Sequence, residues 1–213
     1  MKKSTGNSEQ RQLDLQRLCT SQRDLRAHIT AKLERHTPQR HLFSDQPGTP
    51  AAVLIPIFFK DNQAHLLFTL RSDNLEHHKS QISFPGGKRE TTDRSLEETA
   101  LREAQEEIGL NPEHVDILGR TDDFLTNTFF LVTPYVGMFD YPYPFKVNGG
   151  EIERLIEVPL TALLDERNFS VQPWEKNGHV WQVHYYRYGQ DVIWGVTGFI
   201  LSNFLAIVFD VQR

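Results

Sequence analysis

The chain of 213 residues contains one cysteine, Cys19, so an intramolecular disulfide is excluded and a reducing compartment fits. With no partner motif near it, Cys19 reads as a small apolar residue of an N-terminal helix. No signal peptide is legible, because the opening MKKSTGNSEQRQ has two lysines and no apolar segment behind them. Long apolar runs are missing as well. The longest, residues 196–209, contains Ser202 and Asn203 and reaches about 14 residues, against roughly 20 for a spanning helix. A cytoplasmic protein without a membrane partner is expected. Basic residues are in deficit: 23 Lys and Arg face 28 Asp and Glu, a formal net charge of -5. That argues against a nucleic-acid partner, which needs clustered cations, but leaves a small phosphorylated substrate open. A local cation can hold such a substrate inside an acidic protein. Internal repeats and low-complexity segments are also absent.

What is present describes an ordinary globular chain, 38% hydrophobic and 24% charged, long enough for one core with added elements. Residues 1–46 read as an N-terminal helical appendage, with Leu13, Leu15 and Leu18 in one helical pattern and Leu25, Ile29 and Leu33 in another. A homodimer contact and a cover for a sheet edge are the two roles open to it. A Pro-containing link, 36–50, leads into the main body, 47–213.

There, 51–58 (AAVLIPIF) predicts a buried strand, Asp61-Asn62 a turn and 64–71 (AHLLFTLR) the returning strand of a hairpin. A short extended piece at 81–84 ends at Pro85-Gly86-Gly87, read as a turn. Ser95 with Glu98 predicts a capped helix running to Ile108 and ended by Gly109. Further strands are expected at 115–118, 131–138, 154–158 and 180–188, a short helix at 159–165 and a long one at 196–211. Trp181, Tyr185 and Trp194 could stack on an adenine, but large aromatics at strand spacing are more often core. This order predicts an α/β (α+β) fold, a mixed sheet sandwiched between helices.

The chemistry concentrates in residues 86–110, GGKRETTDRSLEETALREAQEEIGL. At about 100° per residue, Leu101, Ala104 and Ile108 share an arc of about 60°, and Glu103, Glu106 and Glu107 fall opposite them within about 100°. Three carboxylates one turn apart repel one another, and a hard divalent cation with oxygen ligands relieves that. Mg²⁺ is the usual ion beside phosphates. The glycine pair can bring backbone N–H groups close to the helix face.

This segment resembles the Nudix box: Gly, five residues, Glu, seven residues, then Arg-Glu-aliphatic-x-Glu-Glu-x-Gly-aliphatic. The chain supplies Arg102-Glu103-Ala104-x-Glu106-Glu107-x-Gly109-Leu110 without a gap. Counted from Gly87, the upstream acidic position is Asp93 rather than Glu, with eight residues, not seven, before Arg102. The run 67–87, LFTLRSDNLEHHKSQISFPGG, is similar to a signature preceding the box in coenzyme A diphosphatases of this family, matching at Leu67, Thr69, Arg71, Ser72, Phe84, Pro85, Gly86 and Gly87. Glu76 stands where that signature has Arg, and Ser80 where it has Gly.

The resemblance implies a Nudix fold over 47–213 and hydrolysis of a diphosphate joining two groups, with Mg²⁺ as cofactor or Mn²⁺ in its place. Glu103 and Glu107 would be the metal ligands, with Glu106 next, and Arg102 would orient the carboxylates. The general base would come from the box, as Glu106, or from Glu151 after Asn148-Gly149-Gly150. Substrate contacts are expected from Arg71, Ser72, Gly86 and Gly87, with Lys79 and Lys88 behind them. His77 and His78 invite a metal reading, but the carboxylate set suits Mg²⁺ better. The implied substrate is coenzyme A or its thioesters; the alternatives are ADP-ribose or a dinucleotide. A binding module without catalysis would be expected to lack box glutamates, and all three are here.

Overall fold

A computed structural model of the chain describes residues 5–42, 46–72, 81–176 and 179–211. Glu76, His77, His78, Lys79 and Ser80 lie outside the described residues. Two helices come first, α1 (Thr5–Leu18) and α2 (Gln22–Arg35), then a two-residue strand β1 (Arg40–His41). The predicted hairpin is β2 (Thr49–Lys60) and β3 (Gln63–Arg71), turned by Asp61 and Asn62, both at positive φ. Then come β4 (Ile82–Ser83), β5 (Gly86–Lys88) and helix α3 (Leu96–Ile108). Strands β6 (Val115–Arg120), β7 (Asp123–Leu125), β8 (Phe130–Phe139) and β9 (Ile152–Pro159) lead to α4 (Leu160–Leu164). The chain ends with β10 (Phe169–Lys176), β11 (His179–Tyr188), β12 (Asp191–Ile193) and α5 (Gly195–Phe209).

Among the described residues, nine strands form a mixed sheet along the path β1-β7-β8-β2-β3-β4, with β5 added to β2, β6 to β8 and β9 to β3. Strand β2 runs parallel to β8 and antiparallel to β3, so it is central. Its alternation explains the unbroken apolar run: Ala52, Leu54 and Phe58 face one core, Ala51, Ile55 and Ile57 the other. The first core is closed by Ala100, Ala104 and Ile108 of α3. The second is closed by α5, through Leu201, Phe204 and Leu205, and by α2, through Leu25, Ile29 and Leu33. Helices therefore cover both faces of the sheet. β10, β11 and β12 form a separate antiparallel sheet packed on α5.

The N-terminal segment is woven into this body. α2 packs on β6 and α5, Cys19 is fully buried, and β1 pairs in parallel with β7. Burial pushes the Cys19 thiol up to about 12. Leu15 and Leu18 pack on the same core, whereas Leu13 is half exposed, so the first helical pattern holds for two of its three leucines. Residues 169–176, for which no element was expected, form β10, where Phe169 and Val171 alternate with Ser170 and Gln172 before Pro173 and Trp174 break the pattern. Two expectations need correction. Gly86-Gly87 is not a turn but part of β5, in register with Val53 and Ala52. Trp181 and Trp194 are 38% and 37% exposed and Tyr185 is half-buried, so none of the three is core. No helix among the described residues is long and apolar enough to cross a membrane.

Candidate active site

Helix α3 starts where Ser95 accepts the Glu98 N–H at 3.1 Å, and it ends at Gly109, left-handed at φ 71°. The Glu98 carboxylate does not close the box on Ser95; it accepts the Arg94 N–H at 2.7 Å. The helix buries Ala100, Ala104, Glu107 and Ile108 on the sheet, while Leu101 is only partly covered. The buried face is thus centred near Ala100, not Leu101, and Glu107 lies within it rather than opposite it. The sequence pattern missed this because alanine and a buried glutamate carry little hydrophobic signal.

The first two residues of β5 are glycines, which lets the carboxylates of α3 come close to that strand. A Cβ on Gly87 would lie 2.5 Å from the Glu103 carboxylate, and one on Gly86 would lie 2.4 Å from the Ala52 carbonyl oxygen. The Gly86 N–H donates to Glu107 Oε2 at 3.3 Å, so the close approach expected of the glycine pair occurs along a strand. Arg71, at the end of β3, places Nη1 3.5 Å from Glu107 Oε1, while its buried Nε has no hydrogen-bond partner among the described residues. Ser72 is buried beside it, its N–H donating to the Glu151 carbonyl at 2.8 Å.

Burial, with Glu103 and Glu151 adding negative charge, pushes Glu107 up to about 8 against the opposing pull of Arg71. Glu103 is also raised, again mainly by burial, with Arg102 opposing and Glu106 and Glu151 adding to the rise. The side chains of Glu103 and Glu107 are 17% and 3% exposed. Glu106 differs, at 58% exposed and held 3.0 Å from Arg102 Nη1. Arg102 also reaches Glu103 at 2.9 Å, the Lys88 carbonyl at 3.1 Å and Asp93 through two nitrogens. The Arg102 hydrogen bonds hold the buried Asp93 carboxyl well below the usual range.

Glu151 sits in the loop after β8, tied down where the Asn148 N–H donates to the Glu107 carbonyl at 2.8 Å. The charge of its exposed carboxylate adds to the rise of both Glu103 and Glu107, as the smallest of the causes in each case. The structure therefore brings Glu103, Glu107, Arg102, Arg71, Gly86, Gly87 and Glu151 together and turns Glu106 toward solvent. Among the described residues no three Asp, Glu, His or Cys side chains converge on one metal position. Glu103 and Glu107 could still share a hard divalent cation, because two buried carboxylates with raised pKa are stabilised by one. Sequence reasoning missed the Asp93–Arg102 pair, although the acidic residue stood in the pattern. It also missed the cleft beside β5, about 860 Å³, whose walls include Arg71, Gly87, Phe130 and all three tryptophans.

A mixed sheet between helices, with two buried glutamates of one helix over a glycine strand, is the frame of a phosphoanhydride hydrolase. The NUDIX domain family matches residues 48–192, and the chain belongs to the Nudix hydrolases, enzymes that act on nucleoside diphosphate-linked substrates and generally use a divalent metal such as Mg²⁺. It is 36% identical over 153 residues to a Nudix hydrolase NudL of Photorhabdus laumondii, across 72% of this chain and 81% of that one. It is 34% identical over 146 residues to the peroxisomal coenzyme A diphosphatase NUDT7 of Mus musculus, across 68% of this chain and 62% of that one. A crystal structure of a NUDIX hydrolase from Alicyclobacillus acidocaldarius matches at a TM-score of 0.48 and 15% identity, across 80% of this chain and 99% of that one.

Proposed function

We propose that the chain hydrolyses the diphosphate of coenzyme A or its thioesters, giving 3′-phosphoadenosine 5′-phosphate and 4′-phosphopantetheine or its acylated form. The observation that carries the substrate is the similarity of 67–87 to the coenzyme A diphosphatase signature, in a chain related to a mammalian enzyme of that name. The cleft beside β5 is large enough for a two-armed ligand and adjoins the buried carboxylates.

Glu103 and Glu107 are the candidate metal ligands, with Glu106 available from its solvent-facing position. Mg²⁺ or Mn²⁺ bound there would supply positive charge to the diphosphate oxygens. Arg102, fixed by Asp93, would keep the Glu103 carboxylate in place. Arg71 has donors to spare for a phosphate, since Nε has no partner among the described residues and Nη1 lies at the edge of ion-pair distance from Glu107. Ser72 and the Gly86-Gly87 backbone would line the diphosphate. Glu151 is our choice of general base over Glu106, because its loop is fastened by backbone to Ser72 and Glu107 and its charge is felt by both Glu103 and Glu107. It would take a proton from the attacking water as one P–O bond forms and the bridging P–O bond breaks.

Incubation with Mg²⁺ and coenzyme A, octanoyl-coenzyme A, ADP-ribose or a dinucleotide polyphosphate, followed by mass analysis of products, tests the reading. Cleavage of coenzyme A substrates into the two halves named above is expected. Turnover of ADP-ribose with coenzyme A untouched rejects it.

A further inference from the structure

The loop that carries Glu151 has little packing to hold it. A Cβ on Gly149 would meet nothing within 4 Å, and one on Gly150 would meet only Asn148 Oδ1, at 3.4 Å. Neither glycine has a positive φ, so no backbone demand fixes them either. Glu151 is exposed, and a free side chain of that length spreads over many rotamers. A base must act at one point. Here hydrogen bonds, not packing, place it.

Asn148 makes most of these bonds, and every polar group it has is engaged. Its N–H donates to the Glu107 carbonyl at 2.8 Å, and its own carbonyl accepts the N–H groups of Glu151 and Ile152 at 3.0 and 2.9 Å. In the side chain, Oδ1 accepts the Gly150 N–H at 3.2 Å and Nδ2 donates to Glu151 Oε1 at 3.4 Å. That last contact is at the outer edge of hydrogen-bond range, but its acceptor is charged, which strengthens it. Among the described residues Nδ2 is the one donor to this carboxylate. The Glu107 carbonyl lies in the last turn of α3, where carbonyls lack partners within the helix. The loop's other end is held where the β3–β9 register slips between Leu70 and Arg71. The slip passes over Glu153 and sets Ile152 opposite Arg71, and the Ser72 N–H meets the Glu151 carbonyl. Ser72 and Glu107 are thus two fixed points, and Asn148 joins the second of them to the Glu151 carboxylate.

We infer that Asn148 is a positioning residue, tying the carboxylate of Glu151 to the backbone of Glu107 so that the base and the buried glutamates move as one unit. This rests on the reading of Glu151 as general base, and the test separates the two. Asn148→Asp keeps an acceptor for the Gly150 N–H but loses the donor and sets a like charge beside Glu151. Asn148→Ser keeps an acceptor without the charge and is too short to reach Glu151. Both variants, Glu151→Gln, and each Asn148 variant combined with Glu151→Gln would be assayed with Mg²⁺ on whichever substrate of the panel above is cleaved. Glu151→Gln should lower kcat about 100-fold or more. Each Asn148 variant should lower kcat about tenfold with KM within about twofold of wild type, and should melt within about 2 °C of it in EDTA. In the Glu151→Gln background neither should cost anything further, because what Asn148 positions is already gone. The same loss with and without the Glu151 carboxylate overturns the inference, as does wild-type kcat in both Asn148 variants; the base reading then stands on the loss in Glu151→Gln. A lower melting temperature with kcat and KM impaired alike gives Asn148 to the fold of the loop only and overturns the inference too. Wild-type turnover by Glu151→Gln sinks the base reading and the inference together.

Discussion

Asp93 holds Arg102 by two bonds, Nε to Oδ1 at 3.0 Å and Nη2 to Oδ2 at 3.1 Å, and so leaves Nη1 to meet Glu103 and Glu106. The same carboxylate accepts the Thr99 hydroxyl at 2.9 Å and the Glu90 N–H at 2.9 Å, so it fastens the loop before α3 to the helix. Asp93→Asn would take one of three carboxylates from the partly buried Arg102 guanidinium, at a cost of about 2 kcal/mol in urea unfolding. Because Arg102 then no longer holds Glu103 in one orientation, kcat should fall more than KM rises. Unchanged kcat would show that Asp93 only fastens the loop.

Gly87→Ala tests how closely the strand and the carboxylate must approach. The added methyl meets the end of the Glu103 side chain, which can swing away, and the backbone at 87 is not left-handed. The fold should survive, with less than about 1 kcal/mol lost, while the Mg²⁺ concentration for half-maximal rate rises about tenfold or more. Gly86→Ala is the contrast. Its Cβ would meet the Ala52 carbonyl and Val53 of the adjacent strand, which cannot move, so a lower melting temperature is expected.

How much of this was legible follows from what each residue signals. The β2–β3 hairpin and α3 were readable because apolar runs, a turn pair, a serine cap and a terminal glycine state their local geometry directly. The order of strands across the sheet was not, since the parallel pairing of β2 with β8 depends on contacts about 80 residues apart. In the site, glutamate spacing identified the right helix but not the depth of each carboxylate. Glu103 lies against β5 because position 87 is glycine, and the buried Glu107 accepts the Gly86 N–H, both facts about a neighbouring strand. The tryptophans were misplaced for the same kind of reason. Their size argues for burial, and only the tertiary arrangement of β10, β11 and α5 turns them into a cleft.

Glu103→Gln separates repulsion from ligation. In the protein without metal, burial together with Glu106 and Glu151 disfavours the charged form of Glu103. A neutral amide of the same size removes that repulsion. The variant should melt no lower than wild type in EDTA, should lose most of the Mg²⁺-induced rise in melting temperature, and should turn over at least about 100-fold more slowly. Full Mg²⁺ stabilisation retained in the variant would exclude Glu103 as a ligand.

Asp122 is a second acidic centre, away from the α3 glutamates, and it ties the N-terminal link to the body. It lies at the head of β7, 4% exposed, with His36 Nε2 at 2.6 Å, His41 Nε2 at 2.8 Å, the Gln39 N–H at 2.8 Å and Asn203 Nδ2 at 2.7 Å. Burial works to raise its pKa, but the four donors together outweigh burial and hold it at about 2, below the ordinary 3.8. A carboxyl depressed by folding binds fewer protons in the native state than in the unfolded one. Its contribution is therefore complete above pH 4 and fades as pH falls toward 2. From the size of the depression that contribution is about 2 kcal/mol. Asp122→Asn should lose about this much at pH 7, measured by urea unfolding with His36 and His41 intact. The gap from wild type should narrow below pH 4 and close near pH 2. A gap that stays constant down to pH 2 would mean that the asparagine fails for reasons of shape, not charge.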